Sequence, residues 1–273
     1  WMPGNLTGAS QNVTPAANTT YTVTAHDAVS GCTTIESVDV TVSKAPIAQI
    51  AASSNNVCSG SEVTLTASDL NQGLAAYNFS AGTGGTLDPM TGATNVIGSG
   101  NDDTPAAPSA LPFAFKLDGV NYANFAASPD GWIMLTNGTT TPGNQFSNSV
   151  ISSTNTPKIY ALWDDLATGS DGNVSYLVTG LAPNRIFKIQ WNVTVPRNTS
   201  GAANSKFQVW LYEGSNNIEL RYGSVGTTSS GSAGITVGSA NYQSITYSSN
   251  TSSATAANDN NTVATASGTI YSF

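Results

Sequence analysis

Charge is what this chain has least of. Only 9% of its residues are charged, eight basic against sixteen acidic, for a net charge of −8. So little positive charge disfavours a nucleic-acid backbone or an anionic lipid surface as partner, and leaves a cation open as a ligand. Histidine is reduced to His26. A zinc site, which needs about four ligands, is therefore not expected, and a hydrolytic triad has neither a well-placed base nor a serine elbow to go with it. No run of about 20 apolar residues is present, so no segment reads as a membrane-spanning helix. The first residues lack the basic and then apolar stretches of an export signal. No segment of three or more turns carries a 3.6-residue apolar stripe, so helices are missing from the expected fold as well.

What fills the space is Thr, Ser, Asn, Ala and Gly around an apolar share of 39%. Thr and Val are stiff at Cβ and fit a pleated surface, and Gly and Asn supply turns with positive φ. The chain is long enough for two domains, and the fold class expected is all-β. Tyr21, Val23 and Ala25 alternate with Thr22 and Thr24, and Val38, Val40 and Val42 with Asp39 and Thr41, the period of half-buried strands. Lys44-Ala45-Pro46 reads as a boundary, since proline breaks pairing, and a new unit opens from Ile47 through Val57-Cys58-Ser59-Gly60 to Val63-Thr64-Leu65. From Tyr77 a larger unit begins with a turn-rich stretch, and beyond Leu111 its strands are clear. Phe187, Ile189, Trp191 and Val193 share one face with Lys188, Gln190 and Asn192 on the other, the pattern of an antiparallel strand buried on one side. Phe207, Val209 and Leu211 repeat it, and Glu213-Gly214-Ser215-Asn216-Asn217 predicts a hairpin into Ile218–Tyr222.

The ordered signatures Tyr77-Asn78-Phe79-Ser80, Ile97-Gly98-Ser99-Gly100, Asp102-Asp103, Leu111-Pro112-Phe113, Asp130-Gly131-Trp132, Leu162-Trp163-Asp164-Asp165, Pro183-Asn184-Arg185 and Leu211-Tyr212-Glu213 resemble a β-sandwich module of large secreted surface proteins of the Bacteroidota. The Trp163-Asp164-Asp165 segment is also similar to the extracellular nidogen-type domain. Residues 1 to 68 resemble the Ig-like or PKD-like repeats of the same surface proteins. The resemblance implies closing strands of one Ig-like domain over 1–45, opening strands of a further one over 46–74, and a larger antiparallel β-sandwich over 75–273. It also implies a secreted, cell-surface protein, exported by the type IX system and working in cell adhesion, gliding motility or filament building. Its partners would be identical subunits or adjacent repeats, joined by strand pairing. The Ig-like halves stand in the reverse of the usual order, and no sorting domain follows Phe273.

An oxidised Cys32–Cys58 pair is the preferred reading for an exported chain. In the resembling repeats such cysteines pair within one sandwich. Here the reversed order leaves two forms open, a disulfide across a junction between chains or one inside a single chain. Asp164 and Asp165, with Asp171-Gly172-Asn173 a short loop away, form an oxygen-rich set of the kind calcium uses; the same residues also serve as ordinary turn caps. Asn101-Asp102-Asp103 is a second such cluster. Neighbouring strand residues point to opposite faces, so the aspartate pair does not make a glycosidase site, and no enzyme activity is expected. Trp132, Trp163, Trp191 and Trp210 could build a carbohydrate-stacking platform, but Trp163 and Trp191 read as sandwich core. Trp210, beside Tyr212 on the face opposite Phe207, Val209 and Leu211, is the candidate for ligand contact. The function expected is structural or adhesive, with a carbohydrate-binding module binding surface glycans as the alternative.

Overall fold

A computed structural model describes residues 1–15, 19–40, 48–52, 56, 58–69, 73–227, 230–262 and 265–273. The chain divides into two compact units, Trp1–Asn71 and Gln72–Phe273. The expected boundary at Lys44-Ala45-Pro46, the openings at Ile47 and Val57, and Val42 lie outside the described residues.

The first unit holds two antiparallel ribbons. β1 (Thr19–His26) pairs with β2 (Thr33–Val40), and β3 (Ala48–Ala52) with β4 (Leu65–Asp69). Alternation is present in β1, where Tyr21 is buried, and Met2 bridges Thr22 on its free edge. β2 carries the same period at Val38 and Val40 without the burial: Val38 is 55% exposed, and Ile35 on the opposite face is 62% exposed. Period 2 states which residues share a face, while burial of that face requires something to cover it.

The second unit is an antiparallel sandwich of two seven-stranded sheets. Its strands in chain order are β5 (Ser80–Gly82), β6 (Thr94–Ile97), β7 (Ser109–Leu117), β8 (Val120–Ala127), β9 (Trp132–Thr136), β10 (Lys158–Trp163), β11 (Asn173–Thr179), β12 (Ile186–Val193), β13 (Ser205–Tyr212), β14 (Ile218–Tyr222), β15 (Ser232–Gly238), β16 (Asn241–Thr246), β17 (Thr251–Ser253) and β18 (Ile270–Ser272). One sheet runs β17-β16-β15-β10-β9-β8-β7 and the other β5-β18-β14-β13-β12-β11-β6. The predicted hairpin is β13–β14, and Phe187, Ile189, Trp191 and Val193 all enter the main core, where Trp191 stacks on Phe207 at 5.4 Å. Tight turns bring neighbouring strands close. At Gly131, with φ +80, a Cβ would stand 1.7 Å from Leu162 O, so the Asp130-Gly131 turn tolerates no side chain there.

Trp163 departs from its expected place. Strict alternation from Ile159 and Ala161 would point it into the main core, but a register shift between Tyr160 and Trp163 turns it to the other face, as a bulge does. It packs there with Trp132, Val150, Tyr160 and Tyr242 in a second cluster. The chain between β9 and β10 lies over this cluster: both indole N–H groups, of Trp132 and Trp163, donate to Gln145 O at 3.1 and 3.0 Å.

The outer face of the opposite sheet is covered too. Lys188, expected in solvent, is buried, and its ammonium meets Asp88 Oδ2 at 2.6 Å. Gln208 exchanges hydrogen bonds with the Asp88 backbone at 3.0 and 2.8 Å, and Arg221 donates to Thr86 O at 3.0 Å. The turn-rich stretch that predicts few strands is thus a strap, Thr86–Met90, laid across β12, β13 and β14.

Candidate functional site

The two acidic loops meet. After β6 the chain runs through Gly98–Thr104, which with Asn144 lines an open cavity of about 470 Å³. Backbone bonds fasten this loop to the segment after β10: Gly100 N–H donates to Gly169 O at 2.7 Å, and Thr168 N–H to Asn101 O at 2.9 Å. Asn101 N–H in turn donates to Thr168 Oγ1 at 2.8 Å. Fastened this way, the carboxylates of Asp102, Asp103 and Asp165 lie within 4.8 Å of one another.

Three carboxylates at that range repel. Arg197, beyond the end of β12, offsets the repulsion. Its Nε donates to Asp102 Oδ1 at 2.6 Å and its Nη2 to Asp102 Oδ2, and Nε lies 3.1 Å from Asp165 Oδ1. The hydrogen bond to Asp102 holds the guanidinium above its usual range. Asp103 is shifted upward, by burial first and then by the charges of Asp102 and Asp165. Oδ1 of Asp103 and Oδ1 of Asp165 are buried atoms with no hydrogen bond, the Arg197 contact to the latter being an ion pair without hydrogen-bond geometry.

Behind this cluster sits Asp130, fully buried at the turn into β9. Burial pushes its carboxyl up to about 8, against the pull of hydrogen bonds from Ser128 and Leu166 and with the help of the charges on Asp103 and Asp165. Ser128 Oγ donates to Oδ2 at 2.9 Å and Leu166 N–H to Oδ1 at 3.2 Å. Read from the sequence as a turn residue, Asp130 gives no local signal of burial; the aromatic strand Trp132–Leu135 that follows at once is the one hint.

The expected calcium set is redistributed. Asp165 reaches the cluster, while Asp164 and Asp171 stand outside it. Asp164 turns toward Ser230 and accepts from Asp165 N–H at 3.0 Å, and burial raises its carboxyl to about 6. Asp171 accepts from Ala203 N–H at 2.7 Å, and Asn173 on β11 donates to Asn95 at 2.5 Å. The physical reason is the one that argued against a glycosidase: consecutive side chains diverge. Hard oxygen donors suited to calcium are therefore Asp102, Asp103 and Asp165, with Arg197 already supplying one positive charge to them.

Trp210 is partly buried under the strap. Lys188 Nζ lies 4.2 Å and Arg221 Cζ 3.8 Å from its ring centroid, and its indole N–H donates to Gln208 at 2.7 Å. Tyr212 beside it donates to Glu219 at 2.8 Å, and burial followed by that bond lifts its phenol to about 12. The ring proposed for ligand contact is thus already in contact with two cations, one from each neighbouring strand. Cys32 and Cys58 are both exposed, with free thiols.

Comparison with curated proteins and with solved structures gives no match. The model of the NIDO-related family matches residues 76–273, a span that takes in the whole sandwich and every residue of the acidic cluster. The module is of an extracellular kind, and by this match the chain belongs to the NIDO-related family.

Proposed function

We propose that the chain serves as a non-enzymatic structural or adhesive part of an extracellular assembly, with the NIDO-related sandwich as a rigid body and the two ribbons of the first unit as joining elements. The observation that supports this reading most directly is the state of those ribbons. A two-stranded hairpin is marginal in water by itself, and β2 carries Ile35 and Val38 exposed. Strands added along the ribbon edges would supply ladder hydrogen bonds and widen the ribbons into sheets whose faces could then pack over those side chains. Adjacent repeats or identical subunits are the natural donors. The resemblance to Ig-like repeats of Bacteroidota surface proteins extends the proposal to a cell-surface filament or giant adhesin, exported by the type IX route and tied to gliding motility.

Cys32 and Cys58, both exposed, are available for a bridge between copies under oxidising conditions. The test is the denatured mass of the native protein with and without reductant. A ladder of multiples of 27.9 kDa that collapses on reduction supports covalent junctions. A mass far above that value in reductant supports a long repetitive parent. A 27.9 kDa species under both conditions, showing no self-association before denaturation, overturns the assembly reading. The carbohydrate-binding alternative predicts retention on a glycan array that is lost on Trp210→Ala.

A further inference from the structure

Within the cluster on the outer face of β9 and β10, one group is out of character. Lys158 is 1% exposed, in a strand whose other members are all apolar or aromatic. Its Nζ lies 3.7 Å from the Trp163 ring centroid and 4.7 Å from that of Trp132, with Gln145 Oε1 only 2.5 Å away. Among the described residues that carboxamide is the one hydrogen-bond acceptor in contact with this amine.

Gln145 is held as firmly as the lysine. Its backbone carbonyl receives both indole N–H groups. Its Oε1 accepts a second hydrogen bond, from Asn155 Nδ2 at 3.2 Å, and its Nε2 donates to Ser152 Oγ at 2.9 Å. A carbonyl bond is about 1.23 Å long, so Cδ can lie no more than about 3.7 Å from the lysine nitrogen, close to the roughly 3–3.5 Å of a reacting pair.

We propose that Lys158 and Gln145 are joined by an intramolecular isopeptide bond formed without any cofactor. The lone pair of neutral Nζ attacks Cδ, and the carbonyl electrons move to Oε1, where the Asn155 N–H already stands to stabilise the developing negative charge. The Cδ–Nε2 bond then breaks. Nε2 takes the proton released by Nζ, with the Ser152 hydroxyl hydrogen-bonded to it as the relay, and departs as ammonia. One N–C bond forms, one breaks, and nothing is oxidised or reduced. The reaction requires an uncharged amine. Burial brings Lys158 down to about 7, the ionised form of Asp130 acting in the opposite sense, so a large share of the amine is neutral near pH 7. The tryptophan rings favour the ammonium form and at the same time keep out the water that would compete for Cδ.

The product would fasten the chain between β9 and β10 to the middle of its sheet, closing a short loop covalently. It is read out by mass spectrometry of the full chain, denatured. The expected mass is short of the sequence mass by one ammonia, and trypsin fails to cut after Lys158, giving a single fragment from Leu117 to Arg185 with the same deficit. Gln145→Leu and Lys158→Met each restore cleavage-independent full mass for their own sequences. A full-mass chain cut normally after Lys158 overturns the proposal, as does an ammonia deficit that maps to Asn137-Gly138, where succinimide formation would cause it. Because the deciding measurement is made on the unsubstituted chain, it stands even if neither variant folds.

Discussion

The two units of this chain are written in the same alphabet of alternating Thr and Val strands, yet among the described residues only the second shows a clustered core. In β12, Phe187, Ile189, Trp191 and Val193 are fully buried because the facing sheet covers them, the ring of Phe125 of β8 lying 4.7 Å from that of Phe187 and Ser128 O accepting from the Trp191 indole. In β2, Val38 and Val40 follow the same period, yet Val38 stays exposed, as does Ile35 on the opposite face. Alternation is a local property, and burial is a property of what is opposite. The difference teaches that the stability of the first unit depends on a covering surface, whereas the sandwich carries its own.

Substitutions sharpen the contrast. The largest effect is expected for Gly131→Ala, since the new Cβ would meet Leu162 O at 1.7 Å with φ held at +80; a loss of more than about 4 kcal/mol, the exceptional range for one substitution, should abolish cooperative thermal unfolding of the sandwich. Next comes Asp130. Its folded value of about 8 lies above the ordinary 3.8, so the folded state holds a proton that the unfolded state releases. Its contribution is fully present below about pH 4 and is lost as pH rises through 8, by up to about 6 kcal/mol. Asp130→Asn, which cannot ionise, should flatten the stability of the sandwich across that window in denaturant titrations at stepped pH. An unchanged slope would show that Asp130 is ionised in the fold.

Trp191→Ala should cost about 3–5 kcal/mol, removing the stack on Phe207 and the 2.7 Å bond to Ser128 O. The matched pair in the first unit, Ile35→Ala and Val38→Ala, should stay within about 0.5 kcal/mol. A large loss from Ile35→Ala in the isolated chain would break the comparison by revealing a cover over β2. Arg197→Ala should likewise cost little. The pair with Asp102 is a surface one, 43% and 30% exposed, and such pairs are worth about 1 kcal/mol or less; without the guanidinium, Asp102, Asp103 and Asp165 should respond more strongly to added calcium in a melting assay.

The strand faces of the sandwich were legible because each rests on a local repeat: the Phe187-to-Val193 face and the β13–β14 hairpin follow from period and turn residues alone. Trp163 was not, since the shift after Tyr160 that turns it outward arises in the pairing with β15, where Tyr160 stands opposite Gly234 and Trp163 opposite Ser232, about seventy residues away in sequence. The strap at Thr86–Met90 was hidden for a related reason. It has no repeat of its own, and its bonds go to side chains such as Lys188 and Gln208, about a hundred residues away in sequence. For the acidic site, the aspartates were visible as two separate groups. Their meeting through Asp165, and the arrival of Arg197, came from how the loop after β6 is fastened to Thr168 and Gly169.

The sandwich begins and ends on paired strands. Ser80 of β5 stands opposite Ser272 of β18, and Gly82 opposite Ile270, so the chain enters and leaves the module at neighbouring points on one rim. A body attached in this way hardly lengthens the polypeptide that carries it. Its two ends stay one strand spacing apart, about 4.8 Å, whatever the length of the sandwich between them.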